Sequence, residues 1–336
     1  MMVLLCGIYE AGIISDLILF RSDAAAQFHA RQRQPRRRAT RSLEIVALDD
    51  TIAGFVDDKF SMNQSDSLNR LALFVREHPR LFVLTGAGVS TESGIPGYRD
   101  EDGAWRGGQP IQGPAFIRDE QTRKRYWARS LIGWPLFSRA APNAAHRALA
   151  GLEELGHVCH LVTQNVDGLH QRAGSRRVTD LHGRLDRVVC LACRKIVSRS
   201  ELQCRLEARN QEFAHLEAER AADGDALLES VDFLRLELVD CDECGGILKP
   251  DVIFFGETVP VDRVRFSMER LRLSDAVLVV GSSLMVYSGF RFCREAKRLG
   301  IAIGAVNLGR TRADEMLDLK VTETCTAALP RLLDEL

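Results

Sequence analysis

Leu81-Phe-Val-Leu84, followed by Gly86-Ala-Gly-Val-Ser-Thr-Glu-Ser-Gly-Ile-Pro-Gly-Tyr-Arg-Asp100, decides the fold of this chain. Four consecutive apolar residues leave no polar face, which suits a short strand buried on both sides of a parallel sheet. A Gly-x-Gly directly after such a strand lets the backbone turn tightly and approach a phosphate, with amides at a helix N-terminus facing the negative charge. Gly86-Ala87-Gly88 has that form, but Thr91 occupies the third glycine position of the dehydrogenase fingerprint, so a plain strand-to-helix turn fits it equally well. The rest of the loop tips the balance. Ser90, Ser93, Gly94, Pro96, Tyr98 and Arg99 supply hydroxyls, a rigid bend, an aromatic face and a cation, as a flap over a bound dinucleotide requires.

Working outward, mostly apolar runs recur at Val158–Val162, Ala276–Val280 and Ile301–Val306, and helical patterns occupy Leu68–Glu77, Asn143–Leu155 and Phe290–Leu299. Strands alternating with helices predict an α/β fold, a doubly wound and mostly parallel Rossmann-like sheet. Ligands collect at the carboxyl ends of such strands. The segments found there are Gly86–Asp100, Thr163-Gln-Asn-Val-Asp-Gly-Leu-His170, Gly281-Ser-Ser-Leu284 and Asn307-Leu-Gly309. Gly281, Ser282 and Ser283 permit close approach, and Asn307 can bond a ribose or adenine edge, although each alone also fits turn chemistry. Gln164, Asn165 and Asp167 offer amides and a carboxylate. His182 follows a further short run, Arg177–Leu181; beside a nucleotide pocket it is a candidate general base, and elsewhere it would be structural. His146 and His170 fall on predicted helices and are read as structural. The chain has no G-x-S-x-G elbow.

Cys190-Leu-Ala-Cys193 and Cys241-Asp-Glu-Cys244 form two C-x-x-C knuckles, the second followed by Gly245-Gly246. Four thiolates close a tetrahedral zinc site with no open position, so the expected metal is one structural Zn2+; a pair of redox motifs is the competing reading. The stretch Ser200–Ala222 between the knuckles reads as a helical insertion. Cys6, Cys159, Cys204 and Cys293 read as ordinary residues.

At 336 residues the chain suits about two domains, and 46% hydrophobic residues rule out full-length disorder. The net charge of −1 argues against a nucleic-acid-coating polycation, and no apolar run is long enough to span a bilayer. Nine Cys are too few for a disulfide scaffold of this length, which places the chain in a reducing compartment. Residues 1–61 stand apart: a poor signal peptide is followed by the basic run Arg31–Arg41, and the segment reads as a disordered extension rather than a targeting arm or nucleic-acid patch. The expected division is this extension, a nucleotide-binding domain from 62–186 and 247–336, and an inserted zinc-binding small domain at 187–246 with a helical part at 107–144.

Taken together, Gly86–Arg99, Thr163–His170, Leu181-His-Gly183, the two cysteine pairs, Val252-Ile-Phe-Phe-Gly-Glu257, Gly281–Leu284 and Asn307–Gly309 resemble the ordered motif set of the sirtuins. Arg125-Tyr-Trp-Ala-Arg129, Gly174-Ser-Arg-Arg177 and Val286-Tyr-Ser-Gly-Phe290 resemble the class II branch, which includes mitochondrial sirtuin four and bacterial relatives. The resemblance runs from about Leu68 to the C-terminus. It implies NAD-dependent removal of acyl groups from lysine, with NAD as cosubstrate and acylated-lysine proteins as partners; mono-ADP-ribosyl transfer from the same pocket is the alternative. By resemblance, His182 is the base, Asn165 and Asp167 are catalytic with it, and Gln164, Asn165, Val166 and Asp167 line the nicotinamide pocket. Gly86, Ala87, Gly88, Ser90, Glu92, Pro96, Tyr98, Arg99 and Arg106 belong to the cofactor loop. Gly281–Ser283, Asn307, Leu308, Gly309 and Cys325 match adenosine-side contacts. Phe255, Gly256, Glu257, Val286 and Tyr287 match the two edges between which substrate backbone adds as a strand. Gly97 departs from the Asp of many members and Tyr98 from their Phe. A bacterial cytoplasm is the expected compartment, a mitochondrial matrix the alternative. No specific nucleic-acid partner is expected, and the oligomeric state is open.

Overall fold

A computed structural model describes residues 64–97, 110–214 and 232–336. Tyr98, Arg99 and Arg106, the segment 1–61 and the later part of Ser200–Ala222 lie outside the described residues. In chain order the elements are α1 (Gln64–Glu77), β1 (Leu81–Thr85), two three-residue 3-10 turns (Ala87–Val89 and Thr91–Ser93), α2 (Gly113–Arg118), α3 (Glu120–Ser138), α4 (Ala144–Glu154), β2 (Val158–Thr163), α5 (Leu169–Arg172), β3 (Val178–Asp180) and β4 (Gly183–Cys190). They continue with β5 (Ile196–Ser198), α6 (Arg199–Arg209), α7 (Gln211–Ala214), β6 (Leu248–Val252), α8 (Val261–Arg272), β7 (Ala276–Val280), α9 (Tyr287–Leu299), β8 (Ala302–Val306), β9 (Leu319–Val321) and α10 (Cys325–Glu335). Further 3-10 turns span Phe233–Arg235 and Asp314–Met316.

Six strands form one parallel sheet in the order β3-β2-β1-β7-β8-β9. The chain leaves β1 toward β2 and β3 on one side and later fills β7, β8 and β9 on the other. The strand order therefore reverses between β1 and β7, the place where open α/β sheets bind ligands. Thr85 is in register with both Thr163 and Val280, so three strand ends finish level and their following loops meet. Every residue of β1 and β7 is buried, as their unbroken apolar runs require. One face packs against α1, α4 and α10 through Leu71, Val75, Leu149, Leu152 and Leu329; the other packs against α8 and α9 through Leu271, Phe292, Cys293 and Ala296.

A second, antiparallel sheet has the order β5-β4-β6 and spans Gly183–Val252. Its core is shared with α2 and α3: Phe116, Tyr126, Trp127 and Leu131 cluster with Val188, Leu202, Leu206 and Leu248. Arg199 is buried there, its guanidinium 5.5 Å from the Trp127 ring and 5.0 Å from that of Trp134, and it donates to the Ser130 carbonyl at 3.0 Å. No helix among the described residues is long and apolar enough to cross a membrane.

Candidate active site and metal centre

The loop after β1 departs from the expected helix start. In place of an α-helix it makes two 3-10 turns, ending at Gly94 with φ of 80°. What holds it is contact with the loop after β7. The Gly88 amide donates to the Gly281 carbonyl at 2.8 Å, and a Cβ on Gly88 would stand 2.9 Å from that oxygen. Gly281 has φ of 58°, in the left-handed region that favours glycine. Backbones this close leave no side chain of Gly86, Gly88 or Gly281 standing between the strand ends and a ligand.

A cleft of about 620 Å³ runs along these strand ends. Gly86, Ala87, Gly88 and Glu92 line it after β1, and Gln164, Asn165 and Val166 after β2. His182 lines it after β3, Gly281, Ser282 and Ser283 after β7, Asn307, Leu308 and Gly309 after β8, and Cys325 at the start of α10. Phe255, Gly256 and Glu257 form one further wall, Val286 and Tyr287 another. Ser90, Pro96 and Asp167 do not line the cleft.

Gln164 ties the ends of three strands. Its side-chain amide donates to the Thr85 carbonyl at 3.2 Å and to Ser282 Oγ at 2.8 Å, while its main-chain carbonyl accepts from His182 Nδ1 at 2.9 Å. A carbonyl can only accept, so His182 Nδ1 carries the proton and Nε2 keeps its lone pair. Nε2 lies 2.7 Å from Ser288 Oγ, whose hydroxyl donates to it. Burial pushes the His182 imidazole below its ordinary range, against the raising effect of the Gln164 bond, so it is neutral at pH 7. This is the state a base needs. Ser288 is the site residue that sequence reasoning missed as an individual. It was visible only as part of Val286–Phe290, and nothing local says that the first turn of α9 meets a histidine 106 positions earlier.

Asp167 sits one layer back. It accepts from Ser90 Oγ at 2.7 Å and from the Leu169 amide at 2.9 Å. Ser90 Oγ in turn accepts from the Asn165 amide at 3.0 Å, and that amide also donates to the Gly86 carbonyl at 3.1 Å. Burial raises the Asp167 carboxyl above its ordinary range. Asp167 does not line the cleft itself but bonds to Ser90 and interacts with Asn165, which does line it. The two histidines read as structural are held by internal bonds. His146 completes the N-terminal cap of α4 with Asn143 and is pushed down to about 4 by burial, and His170 meets Thr85 Oγ1 at 2.9 Å.

The wall Ile253–Glu257 is anchored by a buried cation. Lys249 Nζ lies 3.0 Å from Glu257 Oε2 and 4.5 Å from the centre of the Phe254 ring. Glu257 also accepts from the Phe254 amide at 2.7 Å. The Ile253 amide donates to the His182 carbonyl at 2.8 Å, so this wall and the histidine share one framework.

The two cysteine knuckles converge at the other end of β4 and β6. All four Sγ atoms of Cys190, Cys193, Cys241 and Cys244 lie within 4.8 Å of one another. Two edges measure 3.5 Å (Cys190–Cys244) and 3.7 Å (Cys193–Cys241). A tetrahedron of sulfurs about 2.3 Å from zinc has edges of about 3.8 Å, so the cluster fits the ion. Gly246 packs against it, where a Cβ would stand 2.8 Å from Cys190 Sγ. Cys190 pairs with Leu248 and Gly183 with Val252, which puts the knuckles about 13 Å along β6 from the end that adjoins His182. At that distance a closed four-thiolate site braces the small sheet and takes no part in chemistry.

A sequence profile of the Sir2 family matches residues 86–288. NAD-dependent protein deacetylase 2 of Bradyrhizobium diazoefficiens is 58% identical over 260 residues, covering 77% of this chain and 95% of that protein. The human mitochondrial NAD-dependent protein lipoamidase sirtuin-4 is 46% identical over 268 residues, covering 79% of this chain and 85% of that protein. A solved Sir2 structure with a deacetylated peptide and 3′-O-acetyl-ADP-ribose superposes with a TM-score of 0.65 at 28% identity, covering 80% of this chain and 98% of that one.

Proposed function

This chain belongs to the Sir2 family, and on that footing we propose that it is an NAD-dependent protein-lysine deacylase, consuming NAD and releasing nicotinamide, O-acyl-ADP-ribose and the free lysine. One observation carries the reading: a neutral imidazole, held in a single tautomer with its Nε2 capped only by the Ser288 hydroxyl, lines a cleft made where five strand ends meet.

NAD contributes an activated ribose, whose bond to nicotinamide breaks as the acyl oxygen attacks. The rest is the work of the chain. The side-chain-free backbone of Gly86–Gly88 and the hydroxyls of Ser282 and Ser283 give the dinucleotide close approach, with Asn307–Gly309 and Cys325 on its adenosine side. Gln164 and Asn165 face the nicotinamide end, and Asp167 acts as a positioning residue that holds Asn165 through Ser90. His182 Nε2 accepts a proton from a ribose hydroxyl, a step for which Ser288 Oγ must release it. Phe255–Glu257 and Val286–Tyr287 take the substrate backbone between them as an added strand. Tyr98, Arg99 and Arg106 belong to the cofactor loop in this proposal. So do the division into 62–186 with 247–336 and 187–246 with 107–144, a cytoplasmic location, and the absence of a nucleic-acid partner.

Incubation with NAD and a panel of acyl-lysine peptides, read by mass, tests the reading. Acyl groups transferred to ADP-ribose support it. ADP-ribose attached to protein, with the acyl-lysine intact, would replace it with a transferase.

A further inference from the structure

The cleft wall built by Met285–Ser288 carries cations that have no anion to match. Arg291 lines the cleft, its guanidinium 5.2 Å from the centre of the Tyr287 ring. Arg294 lies 5.8 Å from the same ring and donates to Tyr287 Oη at 3.2 Å. Arg312 donates to the Met285 carbonyl at 3.3 Å and lies 4.4 Å from the Phe290 ring. None of the three makes an ion pair among the described residues. The Arg291 Nε is buried there without a hydrogen-bond partner.

Glu295, Asp314 and Glu257 are already matched. Glu295, between Arg291 and Arg298 on α9, is held by Arg272 at 2.9 Å and Arg298 at 2.8 Å. Asp314 is held by Lys320 at 2.9 Å, and Glu257 on the facing wall by Lys249 at 3.0 Å. Val286 and Tyr287 are 38% and 49% exposed, so the wall that carries the three guanidiniums is open to a macromolecule. Positive charge left uncompensated beside an open strand-docking edge attracts carboxylates and repels cations.

We propose that this wall selects substrate segments bearing Asp or Glu side chains next to the acyl-lysine. The inference rests on the reading that an acyl-lysine segment docks along Val286–Tyr287. Because the pairs form at a half-exposed rim, each carboxylate adds about 1.5- to 5-fold in affinity, and two together about tenfold.

The test uses three acetyl-lysine peptides that differ only in two flanking residues, Glu, Gln or Lys. Each is fluorescently labelled and measured against the zinc-loaded chain by anisotropy and by turnover with NAD. Affinity should fall in the order Glu, Gln, Lys at 0.05 M salt, by about tenfold from Glu to Gln and further to Lys, and the spread should shrink at 0.5 M as screening strengthens. Arg294→Glu, at an exposed position, should shrink the spread between Glu and Lys peptides while leaving the KM for NAD unchanged. Equal affinities, or a preference for Lys, would overturn the proposal. Binding in the expected order without any turnover would instead reject the deacylase reading and leave the acidic selectivity standing.

Discussion

Replacing Lys249 by Met tests how the substrate wall is held. Lys249 and Glu257 are a buried pair, with side-chain exposures of 7% and 21% and a separation of 3.0 Å. Burial lowers the lysine's pKa and the glutamate opposes that shift, as expected for two charges that depend on each other. Removing one member of such a pair leaves the other desolvated, at a cost of about 3–5 kcal/mol. Glu257 keeps one-fifth of its exposure and its bond from the Phe254 amide, so the lower end, about 3 kcal/mol, applies. At roughly 2–4 °C per kcal/mol for a folded region of this size, Lys249→Met should melt about 6–12 °C below the parent. The paired variant Lys249→Met/Glu257→Gln removes both charges and keeps an acceptor for the Phe254 amide. It should recover to within about 1 kcal/mol of the parent, since a buried pair is often replaceable by neutral groups. Thermal melting of the zinc-loaded chain reads both numbers. A single variant within about 2 °C of the parent, or a paired variant no better than the single, would refute the claim that this pair anchors the wall.

Gly289→Ala would place a methyl carbon 2.3 Å from Gln164 Oε1 and push the amide off Thr85 and Ser282. Two lost hydrogen bonds at ~1 kcal/mol each exceed the ~1 kcal/mol that alanine adds to a helix, so a small loss in Tm with a raised KM for NAD is expected; a more stable variant with unaltered KM would contradict it. Cys241→Ser should lose one zinc per chain by elemental analysis and lower Tm, because metal binding is coupled to folding of the small sheet. Retained stability without metal would remove the structural-zinc reading. For pH, burial depresses His182, and protonation of Nε2 abolishes the base, so kcat/KM should fall on a limb below pH 6.5, the ordinary imidazole value. Stability should fall in the same direction, because His146 and His160 (both pushed down to about 4 by burial) must bind protons on unfolding. Their contribution is complete above about pH 6.5 and is lost as the pH drops toward 4. An activity limb above pH 7 would contradict the burial argument.

The sequence made the sheet legible where its strands are buried on both faces, because Leu81–Leu84 and Ala276–Val280 admit no other use. The cysteine knuckles were legible for a similar reason, since zinc demands a fixed number and spacing of donors. The β1 loop makes 3-10 turns where a helix start was expected, because its path is fixed by distant partners: Gly281, Asn143, Asn165 and Asp167. Asp167 looked exposed to the reaction because it follows a strand end, yet its bonds run to Ser90 and Leu169. Lys249 and Ser288 gave no signal of their own. Their partners are set by tertiary pairing, which one-dimensional spacing does not encode.

The most direct test of the central claim is nicotinamide release by wild type and His182→Ala, with NAD affinity measured on the same samples. The account predicts acyl-peptide-dependent release by wild type, NAD affinity retained in the variant, and release slowed by about 10²–10⁴-fold, the range expected for loss of a general base. Release by the variant at the wild-type rate, or no NAD uptake by either folded, zinc-loaded protein in the presence of acylated peptide, would contradict it.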